Sequence, residues 1–373
     1  KGVGWRLLSW IQTYLEGREQ LIQVSDGVLS RPASITSGII QGSCIGPCLF
    51  LALIDPLLVR LNSIDKVQAY CFADDVKVFS QDPVQLQYAL DILHSWCSTW
   101  QLRVSAQKCQ ILSMGTPDAE SFTIGGTVLP KVSEAKDLGV IVDSELNFQS
   151  HSLSVAKSGK RSAFQVLRCF SSGSVSRLVR AYVTYVRPRL EYATQAWYPQ
   201  RQSERNAIEK VQKFYTRVLL KKCGMKKLDY EQRLKLLRLD SLETRRCKLD
   251  LMLCFKMYRG LTPDCDILSR SHSSRFQRNN HRLLKEPRGC QVRLSFFSNR
   301  VISMWNSLPE DIILGDIDKF KTFIGLWCEF LIILTILSSD FICICETGQL
   351  AANITQRPSS EPLVDCSITN GPP

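Results

Sequence analysis

Two adjacent carboxylates, Asp74 and Asp75, stand between two short apolar runs at 69–72 and 76–79. β-prone residues on both sides of a short break predict a β-hairpin with the acids at its tip. A charged pair at a hairpin tip is ordinarily a solvated turn. What gives the pair weight is the sequence around it.

Upstream runs Ser37-Gly38-Ile39-Ile40-Gln41-Gly42-Ser43-Cys44-Ile45-Gly46-Pro47. Together with Phe72-Ala73-Asp74-Asp75 it resembles motifs B and C of a reverse transcriptase. The wording is similar to that of the non-LTR (LINE-type), jockey-like retrotransposon enzymes, whose strings are close to SGVPQGSVLGPLLF and FADD. One departure is Ile40, where the family usually has proline.

The resemblance implies two-metal nucleotidyl transfer onto a primer 3′ end. Such chemistry uses two divalent ions about 3.5–4 Å apart to clamp the attacking hydroxyl and the leaving phosphate. Magnesium, or manganese, takes hard oxygen ligands and keeps substrate phosphates in its shell. The implied ligands are Asp74, the stronger, and Asp75, the supporting one. Gln41 and Gly42 are implied to hold the template–nucleotide pair, with Phe72 and Ala73 beside them. Glycine lets the backbone approach a ligand closely, although a Gly-rich loop taken singly is an ordinary turn. The implied partners are an RNA template, a DNA primer and deoxynucleoside triphosphates.

A third metal-binding carboxylate is expected upstream, in the family's motif A. The acids before Gln41 are Glu16, Glu19 and Asp26, and none lies in an apolar strand flanked by aromatics. The chain is therefore expected to be the C-terminal palm–thumb piece of a longer element, without fingers and motif A. Polymerase activity of this piece alone is not expected.

After the acids, Asp82-Pro83 predicts an N-cap and first helical residue. Leu86, Leu90, Leu93 and Cys97 follow at helical spacing, which predicts an amphipathic helix packed on a sheet. Trp96-Cys97, Trp100, Leu102, Val104 and Lys108-Cys109 resemble the family's motif D. That places Lys108 near the leaving phosphate or, more plainly, at the surface before a strand. Gly125-Gly126 predicts a tight hairpin. Lys136–Ile141 resembles motif E, the closing strand of the palm. The order of elements predicts an α+β fold: an incomplete right-hand polymerase palm, then a mostly helical thumb and C-terminal region.

Farther on, Arg187-Pro188 is expected to end or kink a helix. Ile208, Val211, Tyr215, Val218 and Leu219 mark one helix face; Lys210, Lys213, Arg217 and Lys221 mark another. That basic stripe is either a track for nucleic-acid phosphates or a solvated face. Ser241 to Tyr258 predicts a helix stopped by Gly260. Leu190-Glu191-Tyr192, Glu209-Lys210-Val211-Gln212 and Leu239 to Arg246 resemble the family's thumb and downstream region. Phe296–Val301 and Trp305–Pro309 resemble its end, with Trp305 expected in a core.

The net charge of +12 and a pI near 9.1 suit a nucleic-acid partner. The charge is not evenly spread: residues 321–373 carry −3, which leaves +15 for residues 1–320. Residues 323–345 are almost wholly apolar, with the length of a membrane span. This segment reads as flanking sequence joined to the element, as a transmembrane helix, or as a core helix. Asn353-Ile354-Thr355 is a glycosylation sequon only if the tail is secreted. Fifteen cysteines without C-x2-C spacing read as free thiols of a reducing compartment. The expected location is nucleus or cytoplasm, with a membrane as the alternative.

The expected division is a partial reverse transcriptase domain at 1–148, a thumb-like region at 149–260 and a basic region at 261–322. The apolar segment at 323–345 and a disordered tail at 346–373 complete it. Three functions stay open: a polymerase piece, a non-catalytic nucleic-acid-binding remnant, and a protein anchored through 323–345.

Overall fold

The computed structural model describes residues 3–23, 27–115, 121–170, 173–262, 267–268, 281–284, 291–325 and 362–369. The chain divides into two units. One comprises residues 1–135 with 357–373, and the other residues 136–356. The boundary between these units falls at 135.

The first unit opens with helix α1 (Trp5–Leu15) and the short paired strands β1 (Glu19–Gln20) and β2 (Ala33–Ser34). Helix α2 (Gly46–Asn62) follows with Pro47 in its first turn, where a missing N–H is harmless. Strands β3 (Val67–Phe72) and β4 (Asp75–Ser80) form the expected hairpin, in register from Val67↔Ser80 to Phe72↔Asp75. Asp82 caps α3 (Pro83–Thr99), its carboxylate accepting from the Val84 and Gln85 N–H groups. Then come β5 (Arg103–Val104), β6 (Gln110–Ser113), β7 (Thr123–Ile124), β8 (Thr127–Val128) and β9 (Lys131–Val132). Gly125 and Gly126 join β7 to β8 with φ of 54° and 77°, the left-handed pair a two-residue hairpin needs.

The main sheet runs β3-β4-β12-β6-β9, with β5 also paired to β12. Strand β12 is Pro362–Thr369, far along the chain, and it lies antiparallel between β4 and β6. Of the tail at 346–373, expected to be disordered, residues 362–369 form this strand and the rest lie outside the described residues. The Pro- and Ser-containing stretch dominated that reading. The apolar Val364, Cys366 and Ile368 follow it at every second position, as in a strand. Under the sheet, Val76, Val78 and Ile111 pack with Ile54, Leu57 and Leu61 of α2 and Leu86, Leu90 and Leu93 of α3.

Strand β10 (Glu134–Asp137) pairs with β11 (Val140–Asp143) where the two units meet in the sequence. The single closing strand expected at 136–141 is thus a hairpin turned at Leu138-Gly139, both with positive φ. The second unit continues with α4 (Gln149–Cys169), α5 (Val175–Ala181), a π-helical turn at Tyr182–Val186, α6 (Arg187–Glu191), α7 (Gln202–Lys222), α8 (Tyr230–Leu237) and α9 (Leu242–Tyr258). Pro188 does not end its helix. The π turn just before it widens the backbone and the helical path continues through α6. Gly260, at φ 65°, closes α9 as expected, with Leu261 N–H reaching Lys256 O.

A chain of buried polar groups ties these helices. Tyr182 OH donates to Gln212 Oε1 (2.6 Å), and Gln212 Nε2 donates to Tyr230 OH (2.8 Å) and Asp240 O (2.9 Å). Tyr230 OH donates to Glu209, which also accepts the Leu242 N–H at the start of α9. Burial pushes the Glu209 carboxyl up, against the Tyr230 and Leu242 donors and the Arg246 charge. Helices α10 (Gln291–Ser295), α11 (Phe297–Asn306) and α12 (Glu310–Ile313) complete the described part with a helical stretch at 317–325. Trp305 is fully buried there, as expected, and its indole donates to His281 O. Beyond residue 325 the apolar segment 323–345 lies outside the described residues. Among the described residues no helix is long and apolar enough to cross a membrane. The remainder of the expected basic region, at 263–266, 269–280 and 285–290, also lies outside them.

His151 of α4 is buried edge-on against Trp197, with ring centroids 4.6 Å apart. Its Nδ1 accepts the Ile141 N–H (3.1 Å), which requires that nitrogen to be unprotonated. Burial lowers its pKa from 6.5 to about 4. Between those values the unfolded chain binds a proton that the folded unit refuses. Stability therefore falls as pH drops from 6.5 towards 4, by an amount on the order of 3 kcal/mol. Chemical denaturation at pH 7 and pH 4 should show this loss in the parent and a much smaller one in His151→Leu. Equal losses in both would remove His151 as the cause.

Candidate active site

The hairpin tip is two residues long. Phe72 pairs with Asp75, and Ala73 and Asp74 make the turn. Asp74 is exposed and Asp75 half-buried. Behind them β4 is buried at Val76, Lys77 and Val78, so the acids project from a fixed base. Ala73 has φ 54°, a left-handed conformation that costs a residue with a Cβ about 1 kcal/mol. The Cys71 thiol donates to Ala73 O (2.8 Å) across the same turn. Burial pushes that thiol's pKa up, and Asp74 and then Asp75 push it further, against Lys77.

Asp74 and Asp75 offer hard oxygen donors on adjacent residues. Among the described residues no group of three or more His, Cys, Asp and Glu side chains stands together. Two carboxylates fit Mg2+ or Mn2+, whose remaining positions go to phosphate and water oxygens.

The Gln41 loop enters α2. Gly38 and Gly42 have φ of 81° and 85°, and Arg18 Nη2 donates to Gly38 O (2.8 Å). Gln41 and Gly42 are exposed. At the other end of α2, Asn62 Nδ2 donates to Ala69 O (3.0 Å) and Asn62 Oδ1 accepts the Ala69 N–H (2.9 Å). Only residues 63–66 separate α2 from β3, so the helix runs back along the strand it packs on. The start of α2, with its loop, and the hairpin tip consequently face one end of the sheet. Lys108 is elsewhere: it is exposed in the turn between β5 and β6, on the far side of β12 from β4.

Lys210, Lys213, Arg217 and Lys221 are exposed along α7, in the second unit. The first three line a groove with Phe214 and Arg233. Arg233 of α8 is anchored by Leu228 O (2.8 Å) and Thr216 Oγ1 (3.2 Å), and with Lys213 it flanks the Tyr230 ring.

Sequence reasoning missed Tyr70 and Phe79, which meet edge to face (5.8 Å) next to the exposed Phe72. Their signal was the alternation Gln68, Tyr70, Phe72 along β3. Arg233 and Phe214 were missed too. Phe214 lies off the periodic faces, and Arg233 comes from another helix, so spacing within α7 could not find it.

The sheet is backed by helices and carries two acids at one hairpin tip, and the loop with Gly38 and Gly42 leads into the helix that packs on the same hairpin. The reverse transcriptase (RNA-dependent DNA polymerase) family profile matches residues 3–142. The chain is 28% identical over 208 residues to the RNA-directed DNA polymerase from mobile element jockey of Drosophila funebris, covering 52% of this chain and 22% of that protein. It is 28% identical over 220 residues to the probable RNA-directed DNA polymerase from transposon BS of Drosophila melanogaster, covering 54% and 24%. An uncharacterised protein of Caenorhabditis elegans is 33% identical over 109 residues, covering 28% and 55%. No solved structure gives a significant match. Residues 3–142 match a reverse transcriptase domain and are similar to those of jockey-like, non-LTR retrotransposons, and the chain spans less than a quarter of the length of the two polymerases above.

If the Ala73 turn is strained, Ala73→Gly should raise unfolding stability by about 1 kcal/mol, because glycine accepts the left-handed region freely. A fall in the denaturation midpoint would mean the turn carries no such strain.

Proposed function

We infer that this chain supplies the carboxylate tip and part of the nucleic-acid grip of an RNA-directed DNA polymerase. The single observation that carries the reading is the tip itself: Asp74 in a two-residue turn and Asp75 next to it at the start of a buried strand. Asp74, the more exposed, is the principal metal ligand and Asp75 the supporting one. A divalent ion bound there supplies a Lewis acid for the incoming nucleotide's phosphates. Gln41 and Gly42 approach the template–nucleotide pair, and Phe72, with Tyr70 beside it, offers an apolar floor. The palm is residues 1–148, and the helices of residues 149–260 serve as a thumb. The substrates are an RNA template, a DNA primer and deoxynucleoside triphosphates.

With two carboxylates at the tip, the chain by itself should show only background incorporation on a primed template with Mg2+ or Mn2+. Supplied with a longer segment of the same protein that restores incorporation, Asp74→Ala should abolish it and Asp75→Ala should cut it severely, on the order of a hundredfold or more. Near-normal rates in Asp74→Ala would refute the ligand assignment.

A second reading rests on the groove of α7 and α8: a nucleic-acid-binding piece that works without catalysis. The cations there come from two helices, and one of them is fixed by hydrogen bonds to the backbone. Binding should show little sequence preference and fall steeply with salt. Replacing Lys210, Lys213, Arg217 and Lys221 by glutamine should lower the slope of log affinity against log salt by about three to four units if each meets a phosphate. An unchanged slope would make the stripe a solvated face.

A further inference from the structure

Helix α4 lies alongside α7 and runs in the same direction. At their starts Arg201 Nη1 donates to Gln149 Oε1 (2.8 Å), farther on the rings of Phe164 and Phe214 meet at 4.7 Å, and at their ends Lys222 Nζ donates to Phe170 O (3.0 Å). The outward face of α4 is a second basic stripe. Lys157, Lys160, Arg161, Phe164 and Arg168 recur there at helical spacing, and all five are exposed. An ordinary solvated helix mixes both signs of charge. Here α4 contains no Asp or Glu, and the two acids of α7 are taken up inside the unit: Glu204 is buried and Glu209 accepts the Leu242 N–H. Phe164 is the odd member of its row. It is 50% exposed, one turn beyond Lys160 and Arg161 and one turn short of Arg168. It leans on Phe214, which lines the α7 groove beside Lys210, Lys213 and Arg217.

We propose that the α4–α7 face binds a single strand of nucleic acid, with an unpaired base stacked on Phe164 and the backbone held by the cations of both helices. The proposal rests on the nucleic-acid reading of the α7 groove and adds what that groove alone does not specify, the strandedness of the ligand. A ring can be stacked only by a base whose face is free. In a duplex the bases cover one another and the phosphates line the outside, so a duplex would meet the cations and leave Phe164 bare. An unpaired strand satisfies both features at once, and it does so for any sequence because every base has a π-face.

The test is fluorescence anisotropy of the full-length chain with labelled oligouridylate and oligothymidylate of about 15 nucleotides, and with a duplex of the same length. Both single strands should bind, and more tightly than the duplex. Phe164→Ala should weaken single-strand binding on the order of tenfold while leaving duplex binding and the salt slope unchanged, and Phe164→Trp should keep the parent affinity. Lys160→Gln combined with Arg161→Gln should instead lower the single-strand salt slope by about 1.4 units. Binding of only one kind of strand supports the proposal and names the sugar the site accepts. A duplex bound as tightly as the strands, or an unchanged affinity in Phe164→Ala, would overturn it. Should the Phe164 variants fail to fold, photocrosslinking of an iodouracil-substituted strand to the unsubstituted chain decides. Attachment at Phe164 or Phe214 supports the proposal, and attachment only elsewhere refutes it. If the four glutamines on α7 lower the salt slope while Phe164→Ala changes nothing, the stacking fails and the groove reading stands. No binding by the parent chain removes both.

Discussion

The structure of the first unit depends on one constraint: β4 has no free edge to spare. Its residues 76–78 are buried, and a strand with buried faces must satisfy its backbone groups on both sides. On one side β3 does this and closes the hairpin that presents Asp74 and Asp75. On the other side β12 does it, and β6 then pairs with β12 rather than with β4. The rigidity of the acids follows from this. A tip on an edge hairpin would fray, whereas a tip on a doubly paired strand is held from beneath.

The second unit uses a different device. Its helices meet around groups that would be costly to bury alone, and each is satisfied by the next. Gln212 uses its carbonyl on Tyr182 and its amide on Tyr230 and Asp240, and Glu209 accepts the Tyr230 hydroxyl and the first N–H of α9. The same logic recurs in bidentate pairs: Arg245 on Glu191 (2.7 and 2.9 Å) and Arg300 on Asp250 (2.8 and 2.9 Å). Such pairs fix relative helix orientation more than they add stability. The residues that form them fall largely within the strings that resemble the family's thumb and downstream region. Those strings therefore have a packing reason as well as a family one.

Much of this was legible beforehand, for local reasons. The hairpin at the acids, the Asp82 cap, the Gly-Gly turn and the Gly260 stop each rest on chemistry within a few residues. The failures share the opposite character. Pro188 was expected to end or kink a helix because proline lacks a donor; the helix does not end there, and a π turn sits just upstream. The motif E segment reads as one strand until the left-handed Leu138-Gly139 pair turns it back. Most instructive is β12, whose strand character resides partly in its own residues but whose partners are roughly 250 to 290 positions away. No window of neighbouring sequence contains that pairing. The aromatic pair Tyr70–Phe79 lay between the extremes: its alternation was visible, and its cross-strand contact was not.

The place of β12 in the chain has a consequence for synthesis. Residues 362–369 leave the ribosome after the whole second unit, so the first unit's sheet waits with β4 and β6 unpaired along one edge. At 5–20 residues per second, the interval from Ser113 to Pro362 is roughly 12–50 s. During that time a buried-type strand is exposed along a hydrogen-bonding edge, the condition under which nascent chains recruit chaperones or pair with neighbours on a polysome. The second unit, whose helices pack with neighbours close in sequence, has no such wait. The order of folding is then the reverse of the order of translation: the part made first is the part finished last.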